Sequence, residues 1–362
     1  MLVAYVSGHG YGHATRVGEV LRAVRVRAPG LPLAVVTSGP EWLYRQAVPG
    51  PLLFRPLECD VGLAQTDALA IDEAETARRC RAFAAGHRMR VTEEAAWLQT
   101  ARAALVLGDV PPLAFEAAAE AGVPAVGLAN FSWDWVYRHL APRQPALAEA
   151  ADAAAAAYAR SALLLQLPFA GDLSAFPRRQ EIPLVARRPR MSREEARRRL
   201  GLPDDKPGVL VSFGGIGMPA LDLGALAGLA GHHFLMEAPG RPLPPNATST
   251  DAARLHAAGM DFRDVVGAAD VVVTKPGYGI VSDAIAAGTR IVYTERGDFP
   301  EYPVLVAGMA PLIPCAHLGN ADLAAGRWGE AIESVLARSV PPPPDLSGAE
   351  IAAARLLALA GS

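Results

Sequence analysis

Residues 2–16 read Leu2-Val-Ala-Tyr-Val-Ser-Gly-His-Gly-Tyr-Gly-His-Ala-Thr-Arg16. Leu2–Ser7 is predicted to be a compact apolar strand, and the three alternate glycines after it predict a turn. A helix is predicted from about Ala14 to Arg27. Leu33–Thr37 is the next apolar strand. Strands separated by a helix of this length pair in parallel through right-handed crossovers. The stretch therefore predicts an α/β domain of the Rossmann-like type.

The same alternation of strands and helices continues through the chain. In the first half, a long helical region is predicted over 72–102, with strands at 105–107 and 124–128. In the second half, Ser192-Arg-Glu-Glu195 has the pattern of a capping box, and its helix is expected to end at Gly201. Further strands are predicted at 209–213, 233–237, 271–274 and 290–294. The pattern predicts two Rossmann-like domains that face each other across a cleft.

Prolines mark the candidate boundaries between these domains. Four of them fall between Pro168 and Pro189, and a run from Pro341 to Pro344 precedes a last helical pattern. We expect that last helix to pack back on the first domain. The predicted units are an N-terminal domain at 1–166, a linker at 167–190, a C-terminal domain at 191–340 and the proline-led helix at 341–362.

Composition excludes several classes of protein. The 362 residues are 51% hydrophobic and 20% charged, with a net charge of −3, which argues against disorder and against a nucleic-acid partner. The three cysteines form no disulfide or zinc pattern and fit a reducing cytoplasm, the expected location. No signal peptide or transmembrane segment is predicted. Peripheral membrane contact and the oligomeric state stay open.

The glycine turn after the first strand is the first candidate site. His9, Gly10, Gly12 and His13 lie where the carboxyl end of a strand meets a helix N-terminus, the edge at which open α/β sheets bind ligands. The spacing differs from the dinucleotide motif Gly-x-Gly-x-x-Gly, which disfavours a nicotinamide cofactor. The alternative is a tight turn whose histidines cap the helix.

Polar residues follow two later strands of the first domain. Asp109 comes after one strand, and Asn130, Trp133 and Asp134 come after the next. Because these strand ends meet at one edge of the sheet, all four are expected to face the cleft. Trp133 is a candidate platform for a sugar ring, and aromatic packing between the domains is the alternative.

The second domain carries its own glycine-rich turns at strand ends. Gly214 and Gly215 close one strand, and the backbone amides that begin the helix after Gly277 would favour a diphosphate. Asp283 lies one turn into that helix, where its carboxylate could bind the ribose hydroxyls. The alternative is that it only places a favourable negative charge near the helix N-terminus. The nucleotide-binding residues predicted from these turns are Gly214, Gly215, Lys275, Gly277, Tyr278, Gly279, Ser282 and Asp283.

Together these residues resemble the GT-B glycosyltransferases, and in particular the N-terminal half of plant L-arabinokinases. The matching stretches are Tyr5–Arg16, Gln65–Leu69, Asn130–Asp134, Ile182–Arg188 and Gly277–Asp283. The Pro-x-x-x-Gly-Leu-x-Ser-Ser motif of the sugar kinases is absent from the sequence, so no kinase activity is predicted. More distantly, the chain resembles the N-acetylglucosaminyltransferase of peptidoglycan synthesis and a UDP-sugar hydrolase. In both, a histidine that matches His13 begins the first helix.

The resemblance implies a transfer of sugar from a nucleotide-sugar, which in these families is a UDP-sugar, to a sugar or other small acceptor. His13 would be the general base, with Asp109 as the second catalytic residue. His9, Gly10, Gly12, Asn130, Trp133 and Asp134 would contact the acceptor, and Glu301 the donor sugar. Neither a metal nor an organic cofactor is expected, and Asp-x-Asp is absent. Two alternatives are a nucleotide-sugar hydrolase or epimerase of the same fold, and a sugar- or nucleotide-sensing module without activity.

Overall fold

The protein folds around two separate parallel sheets. This computed structural model describes residues 1–65, 70–214 and 221–361. Within them, the first sheet has seven strands in the order β3-β2-β1-β4-β5-β6-β7, and the second has six in the order β10-β9-β8-β11-β12-β13. Every pair of neighbouring strands in these sheets is parallel. The prediction of two Rossmann-like α/β domains is therefore confirmed.

The first domain is built from seven strands and seven helices of the described chain. Its strands are β1 Leu2–Val6, β2 Leu33–Thr37, β3 Leu53–Pro56, β4 Leu105–Asp109, β5 Ala125–Ala129, β6 Leu163–Gln166 and β7 Arg179–Glu181. Its helices are α1 Tyr11–Arg27, α2 Glu41–Ala47, α3 Glu73–Ala85, α4 His87–Thr100, α5 Pro112–Ala121, α6 Trp133–Leu140 and α7 Leu147–Tyr158. The strand β7 comes from the segment predicted as the linker.

The second domain repeats the plan with shorter elements. Its strands are β8 Gly208–Ser212, β9 His233–Met236, β10 Ala247–Ser249, β11 Val271–Thr274, β12 Arg290–Tyr293 and β13 Cys315–His317. The helices are α8 Arg193–Leu200, α9 Leu223–Ala227, α10 Ala252–Ala257, α11 Phe262–Ala268, α12 Tyr278–Ala287, α13 Glu301–Met309, α14 Asn320–Ala324 and α15 Gly329–Leu336. A last helix, α16, spans Gly348–Ala360.

The central strands are apolar on both faces because helices cover the sheets on both sides. Every residue of β1, β2, β4, β5 and β11 is buried. Such continuous burial is typical of parallel sheets. It leaves the loops at the carboxyl ends of the strands as the place where polar residues gather.

Helix boundaries agree with several of the sequence signals. Ser192 caps α8 by accepting a hydrogen bond from the Glu195 N–H, and α8 ends at Gly201 in a left-handed conformation. The helical region expected over 72–102 is instead two helices, α3 and α4, which meet at Gly86. Glycine loses the most backbone entropy in a helix, so it is a favourable place for the break.

The last helix crosses back to the first domain and packs along α1. Ala349, Ala352, Ala353 and Leu356 form its buried face. The chain leaves the second domain beside the segment by which it entered, since the Leu184 N–H donates to the Asp345 carbonyl at 3.3 Å. The domain bounds given above stay predictions.

Membrane-spanning segments were sought among the described helices. None of them combines the length and the apolar character needed to cross a bilayer.

The packing of α16 on α1 predicts a loss of stability when the buried face of α16 is truncated. Leu356 has no exposed surface, so Leu356→Ala leaves a cavity and should lower the free energy of unfolding by about 2–5 kcal/mol. Denaturant unfolding measures the change. The control Ala354→Ser, at an exposed position of the same helix, should stay within about 0.5 kcal/mol of the parent. Equal stability of the two variants would contradict the packing described.

Candidate active site

The candidate site lies where β1 and β4 end side by side. Val6 and Asp109 are register partners, and the Ser7 N–H donates to the Asp109 carbonyl at 2.8 Å. From this edge the chain turns through Gly8 to Gly10 into α1, whose first turn carries His13. His13 and Asp109 are 96 residues apart in sequence. The parallel pairing of their strands brings them together.

His13 and Asp109 form a buried pair. Nδ1 of His13 lies 2.8 Å from Oδ1 of Asp109, and the two side chains are 7% and 0% exposed. Burial raises the pKa of Asp109, but the charges of Arg16 and His13 outweigh it and hold that pKa below its ordinary value. An ionised carboxylate only accepts hydrogen bonds, so Nδ1 carries the proton. Nε2 is therefore the nitrogen of His13 with an available lone pair.

Arg16 lies one turn further along α1 and contacts the same carboxylate. Its Nε donates to Oδ2 of Asp109 at 2.6 Å and its Nη2 donates to Oδ1 at 2.5 Å. The third nitrogen, Nη1, donates to Oδ1 of Asn130 at 2.7 Å. Asp109 therefore binds a cation and the imidazole at once. The sequence predictions gave no role to Arg16, because its partners are 93 and 114 residues away.

A chain of polar contacts continues from Asn130 into the second domain. The amide Nδ2 of Asn130 donates to Oε1 of Glu301 at 2.6 Å, and Oε2 of Glu301 accepts from Arg296 at 2.6 Å. Asn130 and Glu301 are both buried. Asn130 and Glu301, predicted as acceptor and donor contacts, are thus joined directly across the boundary between the domains.

The backbones of the two domains come into contact at a pair of glycines. A Cβ added to Gly279 in the first turn of α12 would lie 3.1 Å from the Cα of Gly12 in the first turn of α1. A Cβ at Gly279 would be a tight contact, whereas a Cβ at Gly12 would lie an ordinary 3.6 Å from the Gly279 nitrogen. Arg16 also lies over the ring of Tyr278, with its Cζ 5.2 Å from the ring centre. The absence of a side chain at Gly279 therefore permits the close backbone contact between α1 and α12.

The predicted phosphate-binding residues Gly214 and Lys275 lie at the carboxyl edge of the second sheet. Ser212 and Thr274 are register partners at the ends of β8 and β11, so Gly214 and Lys275 follow neighbouring strands. No described atom lies within 4 Å of where a Cβ of Gly214 would stand. Burial, with the charges of His13, Arg296 and Lys275, lowers the pKa of His9 to about 3. Gly215 lies outside the described residues.

The remaining predicted residues of α12 make internal contacts. The Ser282 hydroxyl donates to the Gly279 carbonyl at 3.0 Å. Oδ1 of Asp283 accepts from the Arg187 N–H at 3.0 Å, and Oδ2 accepts from the Arg187 guanidinium. A ribose contact at Asp283 stays a prediction, and it requires Arg187 to release that carboxylate.

Trp133 and Asp134 begin α6 beneath the site. Trp133 has no exposed surface and stacks on Tyr137 with ring centres 5.7 Å apart, while the edge of His9 lies 5.6 Å away. These ring partners and Asp60, which accepts from the Trp133 indole, all belong to the first domain. The packing of Trp133 is therefore within that domain rather than between the domains, and a role as a sugar platform stays a prediction. Asp134 is also buried, and burial raises its pKa.

Asp60 is a second site residue, after Arg16, that was not predicted from the sequence. Its carboxylate accepts from the Ser7 hydroxyl at 3.1 Å and from Nε1 of Trp133 at 2.8 Å. Burial raises the pKa of Asp60 to about 6, against the opposing effect of these two hydrogen bonds. The only sequence signal is a carboxylate shortly after β3, and β3 itself is too weakly apolar to predict.

Among the described residues, no group of three or more His, Cys, Asp or Glu side chains is placed to hold a metal ion. Metal independence stays a prediction.

The chain was compared with known protein families, curated proteins and solved structures. No protein-family model matches the chain. It is 32% identical over 364 residues to L-arabinokinase of Arabidopsis thaliana, an alignment that covers 96% of the chain but only 33% of the relative. The chain thus spans one third of the length of that curated relative. The resemblance to plant L-arabinokinase is confirmed.

Solved glycosyltransferases superpose on the whole chain. The glycosyltransferase of kitacinnamycin matches with a TM-score of 0.65 and 18% identity over 100% of this chain and 95% of its own. The chain has the GT-B fold. Another GT-B structure, UGT2 of Phytolacca americana with UDP-2-fluoroglucose and pterostilbene, matches with a TM-score of 0.60 and 11% identity over 99% and 94% of the two chains.

The close contact between the two domains predicts that alanine substitutions at Gly277 and Gly279 change the free energy of unfolding by different amounts. Gly279→Ala should lower the free energy of unfolding by about 1–2 kcal/mol, since overpacking outweighs the better helix propensity of alanine. Gly277→Ala is the matched control, because its Cβ would lie no closer than 3.9 Å to Arg296. It should stay within about 0.5 kcal/mol. Denaturant unfolding compares the two, and equal losses would contradict the contact.

The environment of Asp60 predicts a pH-dependent difference in stability. Because its pKa rises on folding to about 6, the folded state holds this proton longer than the unfolded state. Relative to Asp60→Asn, the parent should lose about 3 kcal/mol of unfolding free energy between pH 4 and 6, with no further change above that range. Unfolding curves across this range measure the difference. The exposed control Asp205→Asn should show no such trend, and a flat difference for Asp60→Asn would refute the assignment.

Proposed function

We propose that the chain is a glycosyltransferase that moves a sugar from a UDP-sugar to a sugar or other small acceptor. The observation that carries this proposal is the buried His13–Asp109 pair at the boundary between two GT-B domains. The UDP donor is supported by the similarity to UGT2, whose structure contains UDP-2-fluoroglucose. The acceptor would lie against the first domain beside His9, Gly10 and Asn130.

In the proposed reaction, Nε2 of His13 takes the proton of the acceptor hydroxyl. The acceptor oxygen then bonds to the anomeric carbon of the sugar, while the bond from that carbon to the diphosphate oxygen breaks. The electron pair of the broken bond leaves with the nucleoside diphosphate. Asp109 keeps the proton on Nδ1 and stabilises the imidazolium that forms.

The negative charge of the leaving diphosphate would be met by the second domain. The N-terminus of α12 offers backbone N–H groups and a positive partial charge. Lys275 and Arg296 both lower the pKa of His9, which places two cations on this side of the site. Gly214 leaves room for the phosphates. These groups supply the positive charge that a metal supplies elsewhere, so we propose transfer without a metal or an organic cofactor.

Binding of the donor would require the domains to separate. The contact of Gly12 with Gly279 occupies the space in front of α12, and Glu301 is bonded to Asn130 and Arg296. A donor sugar that bonds Glu301 must displace Asn130. We therefore propose that the arrangement described is a closed form and that the enzyme opens to exchange ligands.

The first experiment is a calorimetric panel of nucleoside diphosphates and nucleotide-sugars, with magnesium and with a chelator. Ligand binding stabilises the folded state by mass action, so a micromolar ligand at millimolar concentration raises the unfolding temperature clearly. We expect UDP and one or more UDP-sugars to bind equally with and without magnesium. Absence of any nucleotide binding would refute the proposal.

Substitution of His13 tests the mechanism. His13→Ala should reduce turnover by about 10²–10⁴-fold, since it removes the base, and should leave the dissociation constant of the nucleotide unchanged. The control His256→Ala, at an exposed position of α10, should keep full turnover. Turnover is measured by mass spectrometry of the products formed when the nucleotide-sugar that binds is incubated with a panel of acceptors. Retained turnover in His13→Ala would exclude the base role.

The same measurement separates the alternatives. Release of sugar from the donor without any acceptor identifies a hydrolase, and conversion of the donor into an isomer identifies an epimerase. Binding without turnover identifies a sensing module. Each of these outcomes would replace the transferase proposal.

A further inference from the structure

Arg16 is the most completely bonded cation near the candidate base. It is 4% exposed, and each of its three nitrogens donates a hydrogen bond within the first domain. Transfer of a cation from water to a protein interior is costly unless the cation is paired and hydrogen-bonded. Burial lowers the pKa of Arg16, but the charge of Asp109 outweighs it and raises that pKa above its ordinary value. Arg16 is therefore a fixed positive charge.

One oxygen atom connects Arg16 to the base. Oδ1 of Asp109 lies 2.8 Å from Nδ1 of His13 and 2.5 Å from Nη2 of Arg16. Nη2 lies 3.2 Å from Nδ1 itself. An aspartate alone would strongly favour the imidazolium form of its histidine partner. Here the guanidinium takes up much of that negative charge and adds a repulsion of its own.

We propose that Arg16 is a positioning residue that weakens the hold of His13 on its proton and fixes the orientation of Asp109 through the shared carboxylate. The proposal rests on the role of His13 given under the proposed function. A base that has taken a proton from an acceptor must give it up before the next turnover, and an unshared aspartate would retain it.

Other charged groups face this site from several elements. They do not replace Arg16, because none of them bonds the oxygen that His13 contacts. Those whose charges act within the site are His9 before α1, Asp60 after β3, Lys275 and Arg296 of the second-domain loops, and Glu301 of α13. All of them are retained in the variants compared below.

The test is a titration of the His13 ring by NMR in the full-length protein without ligand, with His13→Gln to assign the signal. Arg16→Met removes the charge and keeps an unbranched side chain. We expect the midpoint of the His13 titration to move to higher pH by about 1–3 pH units. Arg16→Lys keeps the charge and should keep the midpoint near that of the parent. An unchanged or lower midpoint in Arg16→Met would overturn the proposal.

A second comparison serves if Arg16→Met fails to fold. Asp109→Asn leaves Arg16 as an unbalanced cation, whereas the double variant Arg16→Met/Asp109→Asn removes both buried charges. His13 should titrate at higher pH in the double variant than in Asp109→Asn. Equal midpoints would overturn the proposal.

This readout is independent of the transferase proposal, because it requires neither donor nor turnover. If the protein binds no nucleotide but the His13 midpoint shifts in Arg16→Met, the proposed function is refuted and the role of Arg16 stands. Nucleotide binding and turnover with an unshifted midpoint would do the reverse.

Discussion

Two helix N-termini meet at the boundary between the domains, and the rest of the site depends on that contact. Gly12 and Gly279 allow the first turns of α1 and α12 to touch. Each helix end carries about half a positive charge. Asp109 and Glu301 are buried beside these ends, and each is bonded to an arginine. The carboxylates are thus balanced by arginine side chains rather than by the helix ends.

The buried ion pairs contribute more to the placement of the site residues than to the free energy of folding. Desolvation consumes most of what a buried pair gains by attraction, so such pairs are poor sources of folding free energy. What Arg16, Asp109, Asn130 and Glu301 supply is a unique relative placement of two domains. Hydrogen bonds are directional, so the bond from Asn130 to Glu301 specifies how the two domains meet in the arrangement described, more narrowly than apolar contact alone would.

The sequence predicted the fold because its signals are local. Apolar strands, capping residues and terminal glycines act within a few positions, and they give two α/β domains and the edge where His13 and Asp109 lie. It did not predict Arg16 or Asp60 as site residues, or the pairing of Arg187 with Asp283, because these contacts join residues separated by 53 to 114 positions. Nor does the sequence around Trp133 show that this tryptophan is buried at the start of α6. Such partners depend on how the layers pack.

The return of the chain to the first domain has a mechanical consequence. The segment that enters the second domain and the segment that leaves it are hydrogen-bonded side by side, and Gly348 is so close to Pro183 that a Cβ there would lie 2.1 Å from its carbonyl oxygen. A single connection would let one domain twist freely against the other. Two connections that are hydrogen-bonded at one place restrict such twisting, so the proposed opening of the site would be confined to a hinge at that place.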